Sequence, residues 1–190
     1  LTDCVPSQTL IATAELMPDM ATAPELGIGL ADPSSAAAQV EVDLARVNQR
    51  VLALAAEQSE DIGRRLEREG VRVLVGRGRL DGPERVVVTG EDGVIEEIDA
   101  DAVLVATGAA PRTVPTAEPD GERILTWEQV YDLTEMPEKL IVVGSGVTGA
   151  EFASAYLAMG VRVTLVSSRD RVMPHEDADA AMAIERVFRD

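Results

Sequence analysis

Residues 144–149 read Gly-Ser-Gly-Val-Thr-Gly, the spacing with which a chain cradles a dinucleotide pyrophosphate. Gly144 lets the backbone turn sharply off a strand, Gly146 lets peptide groups approach the phosphates, and Gly149 lets the following helix pack close to that strand. The N–H groups around Ser145, Val147 and Thr148 then point at phosphate oxygens at the positive end of the helix. About 20 residues further on, where an NAD site places Asp or Glu to accept from the ribose 2′-OH, this chain has Ser167. Ser168, Arg169 and Arg171 follow, hydroxyls and guanidinium groups suited to a 2′-phosphate, so NADPH is favoured; Asp170 is the residue that would serve NAD instead. His175, the one histidine, lacks companions at metal-ligand spacing and reads as a solvated loop residue, so no metal site is expected.

The elements needed to position that turn are present on both sides of it. Residues 139–143 form an apolar strand, residues 150–159 a helix closed by Gly160, and residues 161–166 a second strand, all within the roughly 30 residues of a βαβ unit. Upstream, residues 9–16 predict a helix, with Pro18 and Pro24 breaking the next stretch into a loop. Asp43 predicts the N-cap of a long helix, striped with Leu44, Val47, Val51, Leu54, Ile62 and Leu66, ended by Gly70 and laid on its own sheet. Strands are predicted at 71–75, 85–89 and 94–98, the last two joined by a hairpin turn at 90–93, and a buried strand at 102–106. Small residues and two prolines over 107–115 would let a ligand approach the backbone. Residues 126–129 resemble a capping box opening a short helix to Leu133, and 176–179 an acidic helix start. The domain boundary is placed within 113–124.

With 34 acidic against 17 basic side chains and a net charge of −17, the chain would be repelled by nucleic acid and by an anionic membrane. One cysteine forms no internal disulfide, no apolar run reaches the roughly 18 residues of a membrane span, and a reducing cytoplasm is the default expectation. The chain opens without Met or an initial strand, and the helical pattern from residue 178 runs to the last residue. The expectation is the middle of a longer protein.

Three segments in this order, 3–8 (Asp-Cys-Val-Pro-Ser-Gln), 102–108 (Ala-Val-Leu-Val-Ala-Thr-Gly) and 144–151 (Gly-Ser-Gly-Val-Thr-Gly-Ala-Glu), resemble the pyridine-nucleotide disulfide oxidoreductases. The resemblance implies an α/β fold with two Rossmann-like nucleotide-binding domains, both incomplete here: the later part of an FAD domain over 1–116 and the first half of an NAD(P) domain over 117–190. Cys4 then matches the second cysteine of a redox pair, the one whose sulfur faces the flavin; the other reading is a buried cysteine packed as a small hydrophobe. Gln8 stands where the dihydrolipoamide dehydrogenase branch has a Lys paired with a Glu, and Glu151 matches that Glu. An amide can still hydrogen-bond Glu151 but brings no positive charge to a reduced flavin or a thiolate. Asp3 replaces a family Gly and sets a carboxylate beside the sulfur. The resemblance also implies FAD contacts from Gln8 on the isoalloxazine side, from Gly76 and Gly78 at adenine, and from Thr107, Gly108 and Ala109 near pyrophosphate and ribityl. For Gly76 and Gly78 an ordinary bend is an equal reading.

Both departures from the family pattern weigh against disulfide chemistry. The expected function is an FAD-dependent NAD(P)H oxidoreductase that delivers electrons to a quinone or similar small-molecule acceptor. Dihydrolipoamide dehydrogenase, with lipoamide as acceptor, is the alternative within the class. A redox-silent dinucleotide-binding protein is the alternative outside it. A homodimer is implied for the full-length protein by resemblance alone, and this segment by itself is expected to hold FAD poorly and to be inactive.

Overall fold

The computed structural model describes residues 4–28 and 41–189. Asp3, whose carboxylate is expected beside the Cys4 sulfur, lies outside the described residues. The chain divides into two compact units, Leu1–Gln58 with Thr113–Asp190, and Ser59–Arg112.

In the larger unit, helix α1 (Cys4–Ala14) buries Leu10 and Ala14. Pro18 does not open a loop. It is the third residue of helix α2 (Leu16–Thr22), where a missing N–H is harmless because the first four have no intrahelical acceptor. Pro24 likewise lies at the start of a short 3₁₀ helix, Ala23–Leu26. Helix α3 (Leu44–Arg68) begins as expected, with Asp43 Oδ1 accepting from the Arg46 N–H at 3.0 Å. Its buried residues within this unit are Leu44, Asn48, Val51 and Ala55. Leu44 and Val51 join a largely helical cluster with Leu10, Tyr131, Phe152 and Tyr156, not a sheet. Asn48 fixes the join by donating to the carbonyls of Leu133 at 2.8 Å and Val130 at 3.3 Å. The capping box is reciprocal: the Thr126 N–H reaches Gln129 Oε1 at 2.9 Å and the Gln129 N–H reaches Thr126 Oγ1 at 3.4 Å, opening a one-turn 3₁₀ helix over Gln129–Asp132.

The chain then forms a βαβ unit. Strand β4 (Lys139–Val143) lies parallel to β5 (Arg162–Val166), from Lys139 opposite Arg162 to Val143 opposite Val166, with helix α4 (Val147–Ala158) crossing between them. Gly160 closes α4 at φ +93°. Helix α5 (Ala178–Arg189) follows, capped by Asp177, whose Oδ1 accepts from the N–H groups of Asp179 and Ala180.

The smaller unit holds a three-stranded antiparallel sheet in the order β1 (Arg77–Leu80), β2 (Arg85–Thr89), β3 (Ile95–Asp99). The 90–93 turn joins β2 and β3, with the Gly93 N–H on the Gly90 carbonyl at 3.0 Å and Gly93 at φ +79°. Two expected strands are absent. Residues 71–75 and 102–106 take part in no ladder among the described residues, and the second segment is not buried: Leu104 is 90% exposed. β1 forms from residues 77–80, where a partner exists, instead of from the more apolar 71–75. A strand needs a neighbour to take its backbone groups, and apolar composition supplies none.

Candidate functional site

β4 runs into the glycine turn without a break in pairing, since the Gly144 N–H still donates to the Val166 carbonyl at 2.9 Å. Gly144 then sits at φ +118°, a conformation L side chains rarely adopt. Gly146 is the N-cap of α4, extended at φ −70° and ψ −175°, with no side-chain capping bond, and a Cβ placed on it would meet nothing within 4 Å. The first intrahelical bond is from the Ala150 N–H to the Gly146 carbonyl at 3.0 Å. The N–H groups of Val147, Thr148 and Gly149 therefore precede the ladder, at a helix end with no acidic residue in its first turn. Gly149 is demanded by packing: a Cβ there would lie 1.9 Å from the Gly144 carbonyl oxygen. Open space at Gly146 and uncapped donors behind it fit a pyrophosphate.

The turn is clasped from the far side of β5. Ser145 is 5% exposed, and its Oγ lies 2.6 Å from Ser167 Oγ and 3.3 Å from the Arg171 carbonyl oxygen. The Ser145 carbonyl accepts from the Met173 N–H at 2.6 Å, and Ser167 Oγ accepts from the Arg169 N–H at 2.9 Å. Met173 adopts φ +51°. The Ser167 hydroxyl therefore faces back toward the turn, although the residue is exposed, as are Ser168 and Arg169 beside it. Arg171 lies 4.0 Å from Asp170. This clasp was missed by the sequence reading. Its signal was available: a hydroxyl inside the turn and one at the end of the second strand become neighbours once the two strands pair.

α1 packs across α4, and Gln8 Nε2 donates to Glu151 Oε1 at 2.9 Å, the amide-to-carboxylate bond expected of that pair. Cys4 is the first residue of α1 and is exposed, so it is not a cysteine packed away as a small hydrophobe. In the smaller unit a Cβ on Gly76 would lie 2.5 Å from the Thr89 carbonyl oxygen, so the neighbouring strand alone accounts for that glycine. Gly78 lies within β1, where an added Cβ would come no closer than 3.9 Å to the Val86 side chain, and Gly108 stands at φ +72° in open space between exposed Thr107 and Ala109. The Gly108 arrangement fits close approach of a ligand to the backbone.

An apolar cleft of about 900 Å³ lies on the larger unit, lined by Met17, Ala153, Leu157, Leu165, Val172 and Phe188 among others, and it excludes the glycine turn. His175 is exposed, and no three His, Cys, Asp or Glu side chains converge on a metal-sized site among the described residues. Among the described residues no helix is long and apolar enough to cross a membrane.

The chain is 50% identical over 194 residues to an NAD(P)H dehydrogenase (quinone) of Mycobacterium tuberculosis, covering 99% of the chain and 38% of the relative. It is 36% identical over 186 residues to a dihydrolipoyl dehydrogenase of Chlorobaculum tepidum, covering 97% and 38%. The crystal structure of LpdA from Mycobacterium tuberculosis superposes with a TM-score of 0.82 at 49% identity, over 100% of this chain and 40% of that one. The chain thus spans about two fifths of the length of the proteins it matches, and the α/β class expected from its sequence is the observed one. The family model for pyridine nucleotide-disulphide oxidoreductases matches residues 1–190, and the chain belongs to that family.

Proposed function

We propose that the protein carrying this chain is an FAD-dependent NAD(P)H oxidoreductase that passes electrons to a quinone or a similar small acceptor. The observation that carries the reading is the uncapped start of α4 behind an open Gly146, with Gly149 pressed on the Gly144 carbonyl. In this reading Gly144, Ser145, Gly146, Val147, Thr148 and Gly149 hold the nicotinamide nucleotide's pyrophosphate through backbone N–H groups. Ser167, Ser168 and Arg169 face the adenosine ribose. Bound nicotinamide and flavin supply hydride transfer and onward release of electrons. The side chains bind and orient: Gln8, tethered to Glu151, gives the flavin side a neutral donor in place of a cation. Gly76, Gly78, Thr107, Gly108 and Ala109 are assigned to FAD on the family resemblance. We place the FAD portion at 1–116 and the NAD(P) portion at 117–190, and the full-length protein as a cytoplasmic homodimer.

Two observations favour quinone over lipoamide. Identity is higher to the quinone dehydrogenase than to the dihydrolipoyl dehydrogenase, 50% against 36%. The Gln8–Glu151 pair also lacks the positive charge that would steady a thiolate at Cys4. The test is anaerobic reduction of the full-length, flavin-loaded protein by NADPH and NADH, followed by turnover with a benzoquinone and with lipoamide. Bleaching and turnover with the quinone is the expected result. Turnover with lipoamide alone reassigns the acceptor, and a colourless protein indifferent to both nucleotides leaves only dinucleotide binding without redox chemistry.

A further inference from the structure

A groove of about 500 Å³ runs between α1 and α3 in the larger unit, lined by Gln8, Ala12, Thr13 and Leu16 on one side and by Arg50 and Leu54 on the other. Its walls are mostly apolar. Thr9, also in the wall, spends its hydroxyl proton on the Val5 carbonyl at 2.7 Å, and Thr13 spends its own on the Thr9 carbonyl at 2.8 Å. The donors left are those of two side chains. Arg50 Nη1 gives a hydrogen bond to Thr13 Oγ1 at 3.3 Å, and the guanidinium makes no ion pair among the described residues in a chain with 34 carboxylate side chains. The rest of its fork stays available. At the other end, Gln8 Nε2 has a second N–H beside the one given to Glu151.

We propose that this groove is the acceptor site and takes the ring of a para-quinone, with Arg50 against the oxygen on which negative charge develops; this rests on reading the protein as an FAD-dependent oxidoreductase with its isoalloxazine beside Gln8. Gln8 and Thr13 are separated on α1 by roughly 7.5 Å along the helix axis, so a ring can lie between them with one oxygen toward Gln8 and the other toward Arg50. Hydride arrives at the Gln8 end. An N–H bond of the reduced, anionic flavin breaks, an O–H bond forms on the nearer quinone oxygen, and the electron pair displaced through the ring settles on the far oxygen. That oxygen takes a proton from water, which completes a hydroquinone and leaves oxidised flavin. Arg50 exchanges no proton; its guanidinium meets the charge while it exists, as a charge-assisted donor in a mostly apolar wall. Gln8 is neutral and cannot fill that role.

The test uses the full-length, flavin-loaded protein, bleached anaerobically with NADPH or NADH. Reoxidation of the flavin is then followed on mixing with para-benzoquinone or with ferricyanide, a one-electron acceptor that needs no groove. Arg50→Ala should slow reoxidation by benzoquinone about tenfold, the size of one lost hydrogen bond to a charged group, and leave ferricyanide reoxidation as it was. Arg50→Lys keeps the charge and should recover most of that loss. Ala12→Leu, at an exposed position where leucine suits a helix, should fill the groove and slow benzoquinone as well. Benzoquinone reoxidation that is unmoved in both Arg50→Ala and Ala12→Leu, or slowed no more than ferricyanide reoxidation, overturns the proposal and leaves the oxidoreductase reading intact. So does an Ala12→Leu protein that loses flavin or changes its oligomeric state, because protein would then cover the groove. Wild-type flavin that bleaches but is reoxidised by lipoamide alone overturns the quinone assignment and this site together. Flavin that neither nucleotide bleaches overturns the oxidoreductase reading itself.

Discussion

Gly149 and Gly76 are both glycines because a backbone carbonyl stands where a Cβ would be, yet they belong to regions of different construction. Around Gly149 the flanking strands pair with one another through their full length, and α4 packs Phe152, Ala155 and Tyr156 into a shared core. Around Gly76 the sheet is a hairpin ribbon in which Val87 is the one buried residue of 59–112, while Val75, beside Gly76, is 79% exposed. In the first region the turn is over-determined by helix, strand and the Ser145 clasp. In the second it rests on the β1–β2 ladder. A rigid glycine turn suits a site that must hold N–H groups at fixed points, because preorganised donors need not be reoriented when the anion arrives.

Substitution at the two glycines measures that difference. Gly149→Ala would put a Cβ 1.9 Å from the Gly144 carbonyl oxygen in a region with no slack, and a loss of about 3 kcal/mol is expected together with loss of flavin reduction by NAD(P)H. Gly76→Ala meets the Thr89 carbonyl oxygen at 2.5 Å, but the ribbon has little core to resist a shift, so about 1 kcal/mol is expected. Urea unfolding of the two full-length variants reads both. Equal losses would break the comparison, since they would mean that the hairpin is as tightly specified as the βαβ unit.

A second pair separates ligand from packing. Gly146→Ala keeps an extended backbone open to any residue and places its Cβ in empty space, so stability should change by less than about 0.5 kcal/mol. The methyl group would stand where the pyrophosphate is proposed, and the KM for NAD(P)H should rise about tenfold or more. Gly78→Ala also meets nothing closer than 3.9 Å, and a strand interior gains about 0.5 kcal/mol from losing a glycine. Flavin content measured on that variant sharpens the comparison: unchanged content makes Gly78 an ordinary strand residue, and lost content assigns it to the cofactor.

The same division explains what could be read from the residues alone. The βαβ unit was legible because its information is local: strand, turn, helix and strand lie within residues 139–166, and each glycine's task follows from its place in the turn. The α3 N-cap, the 126–129 capping box and the 90–93 hairpin were legible for the same reason. Residues 71–75 and 102–106 read as strands and are not, because their apolar side chains state a preference that a ladder must satisfy, and among the described residues none does. Pro18 reads as a break and is not, because its cost depends on its count from a helix start that sequence did not fix. The long helix is expected on a sheet, whereas Asn48 ties it to the carbonyls of Val130 and Leu133, more than 80 residues away in the chain. The Gln8–Glu151 bond, at a separation of 143, came through the family resemblance and not through any local signal.

Tyr156 offers the smallest effect and one confined to the larger unit. It is fully buried, its hydroxyl has no hydrogen-bond partner among the described residues, and burial pushes its pKa up to about 12 from the usual 10. Below pH 10 the phenol is neutral in both folded and unfolded chains and contributes no pH dependence. Between about pH 10 and 12 the unfolded chain releases the proton while the folded one retains it, so stability falls as pH rises through that window. Tyr156→Phe removes the unsatisfied hydroxyl at little cost in volume, so it should leave stability at pH 7 unchanged or raise it by up to about 1 kcal/mol. It should also flatten the loss between pH 10 and 12 in urea titrations. A variant that unfolds more easily at pH 7 would mean that the hydroxyl has a partner that the packing of α4 does not reveal.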